Sequence, residues 1–375
     1  MIYANYAATS PALSAAAAWE LCAYLKETHL NAGRNFEGLE AAATALRARR
    51  AVAALFSASP LSVIFTNGAT ASLNMAIHGL IRPHCHVLAT SIEHNAAARP
   101  LQALFQSGVI DLEWLPCDPS GLFDSAQLRA AIRKDTRLFV ISHASNVLGT
   151  ILPAAECFRI AREHGVLTIL DAAQTAGAFP IALNECCDVL VFAGHKALGG
   201  LAGTGGFVLG ERAALEMRPW LHGGTGSASD SLEMPDFLPD KFEAGTQNTI
   251  GVLSLAASIE EILRTGVETI RERDRKLTER FIAGLNGNKR VKSYGTLTAE
   301  HSTALVSLSV EGCDAAEVSR RLFERYGIVT RSGLHCSPLA HRTAGTFPAG
   351  TVRFSFGRDT TDTEIDTMLE ALSTL

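Results

Sequence analysis

The stretch CDVLVFAGHKALGGLAGTGGFVL, residues 187–209, decides how this chain is read. Val189 through Phe192 are apolar without interruption, the pattern of a strand covered on both faces. The run breaks at Gly194, presents His195 and Lys196, and continues into a loop carrying Gly199, Gly200, Gly203, Gly205 and Gly206. Glycines permit positive φ and close backbone approach. An amine tucked among apolar strands loses hydration, so its charged form is disfavoured and its pKa falls. Such an amine can form a Schiff base with an aldehyde. Taken alone, the stretch also fits a solvent-facing lysine behind a strand, the usual fate of this residue.

A second stretch upstream, GVLTILDAAQTAGAF at residues 165–179, repeats the pattern, with Asp171 at the end of an apolar run. Pyridoxal phosphate needs a lysine for its aldehyde and a carboxylate for its pyridine nitrogen. Asp171 and Lys196 on successive strand ends supply both. The motif D-x-x-Q (Asp171, Gln174), followed by F-x-G-H-K ending at Lys196, resembles class V aminotransferase-fold enzymes, cysteine desulfurases in particular. The resemblance implies the fold type I of pyridoxal-phosphate-dependent transferases. That is an α/β fold with a mainly parallel seven-stranded sheet flanked by helices, plus a smaller α+β domain. We expect a large cofactor-binding domain over residues 15–255, and a small domain from 1–14 and 256–375.

Size and composition agree with this frame. At 375 residues a large core and two domains are natural. A 47% hydrophobic and 19% charged composition describes a globular chain, and a net charge of −5 gives no basic footprint for nucleic acid. No apolar run reaches the roughly 18 residues of a membrane span. The opening MIYANYAATS carries neither a basic nor an apolar export segment, and the eight cysteines show no C-x-x-C pair or metal spacing. The expectation is a cytoplasmic protein with reduced thiols and no metal site.

Further along, strands alternate with helices across short connections, the signature of right-handed crossovers in a mainly parallel sheet. Ligands bind such sheets beyond the carboxyl ends of strands. The run around 63–65 turns at Asn67-Gly68 into a helix opening at Ala69 or Thr70; its free N–H groups and dipole suit a phosphate, although any N-cap looks the same. His94 follows the next strand, where an imidazole can stack on a flat ring or simply cap a helix. Asn146 follows the strand around 137–142. Cys336 lies in RSGLHCSPLAHRTAGTFPAGTVRFSFG, residues 331–357, beside His335 and near Arg331, and nearby cations favour the reactive thiolate. A structural thiol is the alternative.

The family resemblance assigns roles to these positions. It implies that Ala69, through its backbone, and Thr70 bind the cofactor phosphate, and that His94 stacks on the cofactor and relays protons. Asn146 and Gln174 are expected at the cofactor's phenolate oxygen, Asn146 alternatively at the substrate carboxylate. His195 is expected beside the cofactor with Lys196. Thr246, in FEAGTQNTIG at residues 242–251, corresponds to a residue that reaches a partner's phosphate in a homodimer, which places the active sites near the interface. The loop at residues 31–34 (N-A-G-R) is expected near the active site. R-x-G-x-x-C matches Arg331, Gly333 and Cys336, and Arg353 matches the arginine that grips the substrate carboxylate.

The implied reaction removes sulfur from L-cysteine, leaves alanine, and loads a persulfide on Cys336 for a sulfur-acceptor protein or thiol, as in sulfur metabolism and iron–sulfur cluster assembly. The short spacing from Cys336 to Arg353 resembles the SufS-like group II members. A selenocysteine lyase, another carbon–sulfur lyase or an aminotransferase of the same fold are the alternatives, and a non-enzymatic scaffold a further one. Ala193 stands where such members usually carry a phosphate-binding serine, Leu201-Ala202 replace a Pro-Gln, and Gln247 replaces a proline. One lost hydroxyl contact weakens cofactor retention by roughly 1 kcal/mol.

Overall fold

Continuous apolar runs build the central sheet. In the computed structural model, which describes residues 1–26 and 39–375, the strands are β1 (Ile2–Tyr3), β2 (Val63–Thr66), β3 (Cys85–Thr90), β4 (Ile110–Leu115), β5 (Thr136–Ser142), β6 (Leu167–Asp171), β7 (Val189–Ala193), β8 (Gly205–Leu209), β9 (Val291–Tyr294), β10 (Leu305–Val310), β11 (Ile328–Val329), β12 (Arg331–Gly333) and β13 (Thr351–Ser355). The expected loop at residues 31–34 lies outside the described residues.

Seven strands form the large sheet in the order β2-β8-β7-β6-β5-β3-β4. All run parallel except β8, which pairs antiparallel with both β7 and β2. The sequence had Gly205 and Gly206 in a loop; instead they open β8. A Cβ on Gly205 would meet the Gly68 Cα at 2.6 Å, and one on Gly206 the Ile64 carbonyl oxygen at 2.2 Å. These glycines therefore serve close strand approach rather than a turn.

Alternate residues of the strands fill the two faces of the sheet. Leu88, Phe139, Ile141, Leu170, Leu190 and Phe192 join one core. Val87, Val140, Ile169, Val189, Val191 and Phe207 join the other. A third cluster centres on Phe281, Leu308, Val352 and Phe354, beneath the four-stranded antiparallel sheet β12-β13-β10-β9. The helix Thr249–Thr265 buries Val252, Leu255, Ala256 and Ile259 in the first core, and the helix Val267–Leu285 buries Leu277 and Phe281 in the third. We keep the two-domain division as a proposal, with that pair of helices as the passage between them.

Residues 328–333 form two short strands in two different sheets. β11 pairs parallel with β1, while β12 pairs antiparallel with β13 and sets Arg331 opposite Arg353. The amino-terminal segment thus returns to the small sheet, and no described helix is long and apolar enough to cross a membrane.

Candidate active site

The loops leaving β2, β3, β5, β6 and β7 converge on a cavity of about 570 Å³. Lys196 follows β7 and faces it, half-buried. Its pKa is drawn down to about 8, first by burial, then by Arg353 and Arg331, against the pull of Asp171 and Cys336. The lysine's backbone is fixed by the chain's beginning: Ser10 Oγ donates to its carbonyl at 2.7 Å. His195 accepts at its carbonyl from the Ser10 amide (2.9 Å), and its Nδ1 lies 3.1 Å from Thr9 Oγ1.

Asp171 closes β6 and is buried, with Oδ1 accepting from the Ala173 amide at 2.9 Å. Burial raises its pKa, against the Ala173 bond and Lys196. Gln174 also faces the cavity, and its Nε2 donates to the Ala7 carbonyl at 3.1 Å. At the far wall the helix Ala69–Leu80 begins at Gly68, with no side-chain cap, so the first amides are open to an anion. Gly68 needs its freedom: its φ is +141°. Ala69 and Thr70 both line this end, and so does Ala193.

His94 caps the helix Asn95–Gln106, its Nδ1 accepting from the Ala96 amide at 3.0 Å. Burial, then Lys196 and the arginines, lowers its pKa to about 4. The ring is neutral, and that hydrogen bond assigns its proton to Nε2. Asn146 donates through Nδ2 to the His335 carbonyl at 2.6 Å, and its own carbonyl accepts from Arg353 at 2.8 Å.

Arg353 is 1% exposed, and its Nε has no partner. Burial, then Arg331, pulls its pKa down, yet a guanidinium stays charged in a protein. An uncompensated buried cation with an idle N–H calls for an anion. Arg331 lines the same cavity and donates to Cys336 Sγ at 3.4 Å. Cys336 is exposed and stands at the rim rather than in the wall. Thr246 does not join this cavity; it is exposed in an adjoining groove with Trp220 and Asn67.

Sequence reasoning missed Glu93. It is fully buried and accepts from Thr90 Oγ1 (2.5 Å), the Ser142 amide (2.8 Å) and Ser142 Oγ (2.8 Å). The pair Glu93-His94 resembles a family motif in the sequence, but that resemblance gives a role to His94 alone. Burial raises the Glu93 pKa from 4.5 to about 7, despite those three donors. Below pH 4.5 it is protonated in folded and unfolded chains alike. As pH rises to about 7, only the unfolded chain ionises freely, so stability falls and stays lower above that. Glu93→Gln should therefore gain on the wild type by about 3 kcal/mol between pH 4.5 and pH 8. Urea unfolding at both pH values checks this, and a difference that does not change with pH contradicts it.

The class V aminotransferase family model matches residues 2–368. A probable cysteine desulfurase of Methanothermobacter thermautotrophicus is 32% identical over 357 residues, 93% of this chain and 88% of that protein. One from Synechocystis is 30% identical over 387 residues, 99% of this chain and 90% of its own. The apo structure of a cysteine desulfurase from Thermococcus onnurineus NA1 superposes with a TM-score of 0.93 at 29% identity, covering 100% of this chain and 94% of that one. The Escherichia coli cysteine desulfurase CsdA, in an S-sulfonic acid form, gives 0.89 at 26% identity over 99% and 94%. With a family model spanning nearly its whole length and relatives aligned end to end, the chain belongs to the class V aminotransferase family.

Proposed function

We propose that this protein is a pyridoxal-phosphate-dependent cysteine desulfurase. It takes sulfur from L-cysteine, leaves L-alanine, and carries the sulfur as a persulfide on Cys336 for an acceptor protein or thiol. The observation that carries this reading is one cavity facing Lys196, Asp171 and Arg353, with the Cys336 thiol bonded to its rim through Arg331.

The residues present fit the cofactor. An amine with lowered pKa, a buried carboxylate, a neutral imidazole and an uncapped helix start line the same space. Lys196 would hold the aldehyde end, Asp171 the pyridine nitrogen, and His94 the ring face, with His195 next to the lysine. Gln174 and Asn146 would meet the phenolate oxygen, and the Ala69 amide and Thr70 the phosphate. When bound, the cofactor supplies an aldehyde for the substrate amine and an electron-withdrawing ring.

The chain's own groups do the rest. Arg353 binds the substrate carboxylate, as its idle Nε and buried charge suggest, and Arg331 and Asn146 stand at its side. Asp171 would hold a proton on the ring nitrogen of the bound cofactor. Lys196, with a pKa near the working pH, takes the substrate's Cα proton and returns one. His94, neutral with its proton on Nε2, can pass a proton inside the cavity. The Cys336 sulfur attacks the substrate sulfur; the S–S bond forms as the C–S bond breaks, and the electron pair goes to carbon. The chain acts as a homodimer in this reading, supported by the exposed Trp220 and Leu221, which line the Thr246 groove. Thr246 of each copy then reaches its partner's site.

Alanine formation from cysteine under reducing conditions tests the reading, with selenocysteine assayed alongside. Stoichiometric alanine and sulfide from cysteine are expected. No alanine from a protein loaded with the cofactor would overturn it.

A further inference from the structure

The backbone around the thiol is strained. His335 and Cys336 take φ values of +48° and +61°, consecutive left-handed residues that are not glycine. Such conformations persist only where the surroundings over-determine them. Asn146 and Thr351 hold His335, through its carbonyl at 2.6 Å and its Nε2 at 3.1 Å, and the turn after β3 at residues 91–95 holds the Cys336 side. The Asn95 amide donates to the Cys336 carbonyl at 2.9 Å, and Thr343 Oγ1 donates to the Ser91 carbonyl at 3.0 Å. Ser337, fully buried next to the cysteine, donates through Oγ to the Glu93 carbonyl at 2.9 Å. Ser337 occupies the cap position of the helix Pro338–Thr343, yet makes no side-chain cap bond. Its hydroxyl reaches across to the turn instead.

That turn also faces the cavity. It presents His94, and its Glu93 carboxylate grips Ser142, the register partner of Asp171. The thiol's loop and the cavity wall thus share one support. We propose that Ser337 is a positioning residue: its hydroxyl fastens the Cys336 loop to the Glu93 carbonyl and sets the reach of the thiol toward a sulfur atom held in the cavity. This deepens the desulfurase reading and rests on it. Sulfur-to-sulfur attack needs alignment, and a displacement of about 1 Å can cost about a hundredfold in rate.

The test uses the full chain loaded with pyridoxal phosphate. Ser337→Ala should keep the cofactor's visible absorption and the KM for cysteine, while kcat falls about 10- to 100-fold. Freed from its anchor, Cys336 should alkylate several-fold faster with iodoacetamide relative to Cys22, the other exposed cysteine, as read by peptide mass spectrometry. Thr343→Val removes another contact of the same clamp and should shift both readouts in the same direction by less. It carries the test if Ser337→Ala does not fold. Unchanged kcat and unchanged relative alkylation would overturn the proposal, and so would a loss of cofactor in step with activity, which is a general structural defect. If the wild type makes no alanine from cysteine, the desulfurase reading fails, while the alkylation ratio still reports on the clamp.

Discussion

Cys336→Ala is expected to lose alanine formation from cysteine by at least about a thousandfold while keeping the bound cofactor's spectrum. In the proposed reaction this thiol accepts the sulfur, and Arg331, which lines the cavity, donates to it. None of the other seven cysteines lines the cavity, and Cys85 is buried in the sheet while Cys313 packs on the small-sheet core. Burial pushes the Cys117 and Cys157 thiols up to about 12 and raises those of Cys186 and Cys187, so they stay protonated and poorly nucleophilic. Cys22 is exposed, but it lies on the helix Ala15–Tyr24, outside the cavity lining. Because Cys336 is exposed, truncating it should change stability by less than about 0.5 kcal/mol, so lost turnover reports chemistry rather than folding. Alanine and sulfide release, measured beside the absorption spectrum, check this. Unchanged sulfide release by the variant would remove the persulfide step.

Lys196→Ala should lose both the covalent tether and the proton carrier. General base catalysis alone contributes about 10²- to 10⁴-fold, so turnover should fall by at least about a thousandfold. The pH dependence has a definite sign. The neutral amine is the nucleophile, and burial moves its appearance from the usual lysine range down to about pH 8. Capture of pyridoxal phosphate by the cofactor-free wild type should therefore speed up as pH rises to about 8 and level off above it. Stopped-flow absorbance across that range checks the claim. A rate still climbing toward pH 10 would mean that the lysine is not perturbed as described.

Much of this architecture was legible in the sequence because a parallel sheet announces itself. The apolar runs ending at Asp171 and just before Lys196 became β6 and β7, and the residues that follow strands were the ones that face the cavity. The helix Ala315–Tyr326 carries its own boundaries in the sequence, since Asp314 caps it and Gly327 ends it in a left-handed turn. Three features were hidden for physical reasons. The glycines of β8 looked like a loop, because their demand for close approach to Gly68 and Ile64 depends on strands distant in sequence. The division of residues 328–333 between two sheets depends on pairing with β1 and β13, which no local pattern encodes. Glu93 and Ser337 are polar residues whose partners lie across the fold, so their burial could not be read from their neighbours.

The most direct test of the central claim is to reduce the pyridoxal-phosphate-loaded protein with borohydride and map the modified peptide. The account predicts the phosphopyridoxyl label on Lys196, and its absence from the Lys196→Ala protein treated in the same way. A label on a different lysine of the wild type, or a Lys196→Ala protein that keeps the bound cofactor's visible absorption, would contradict it.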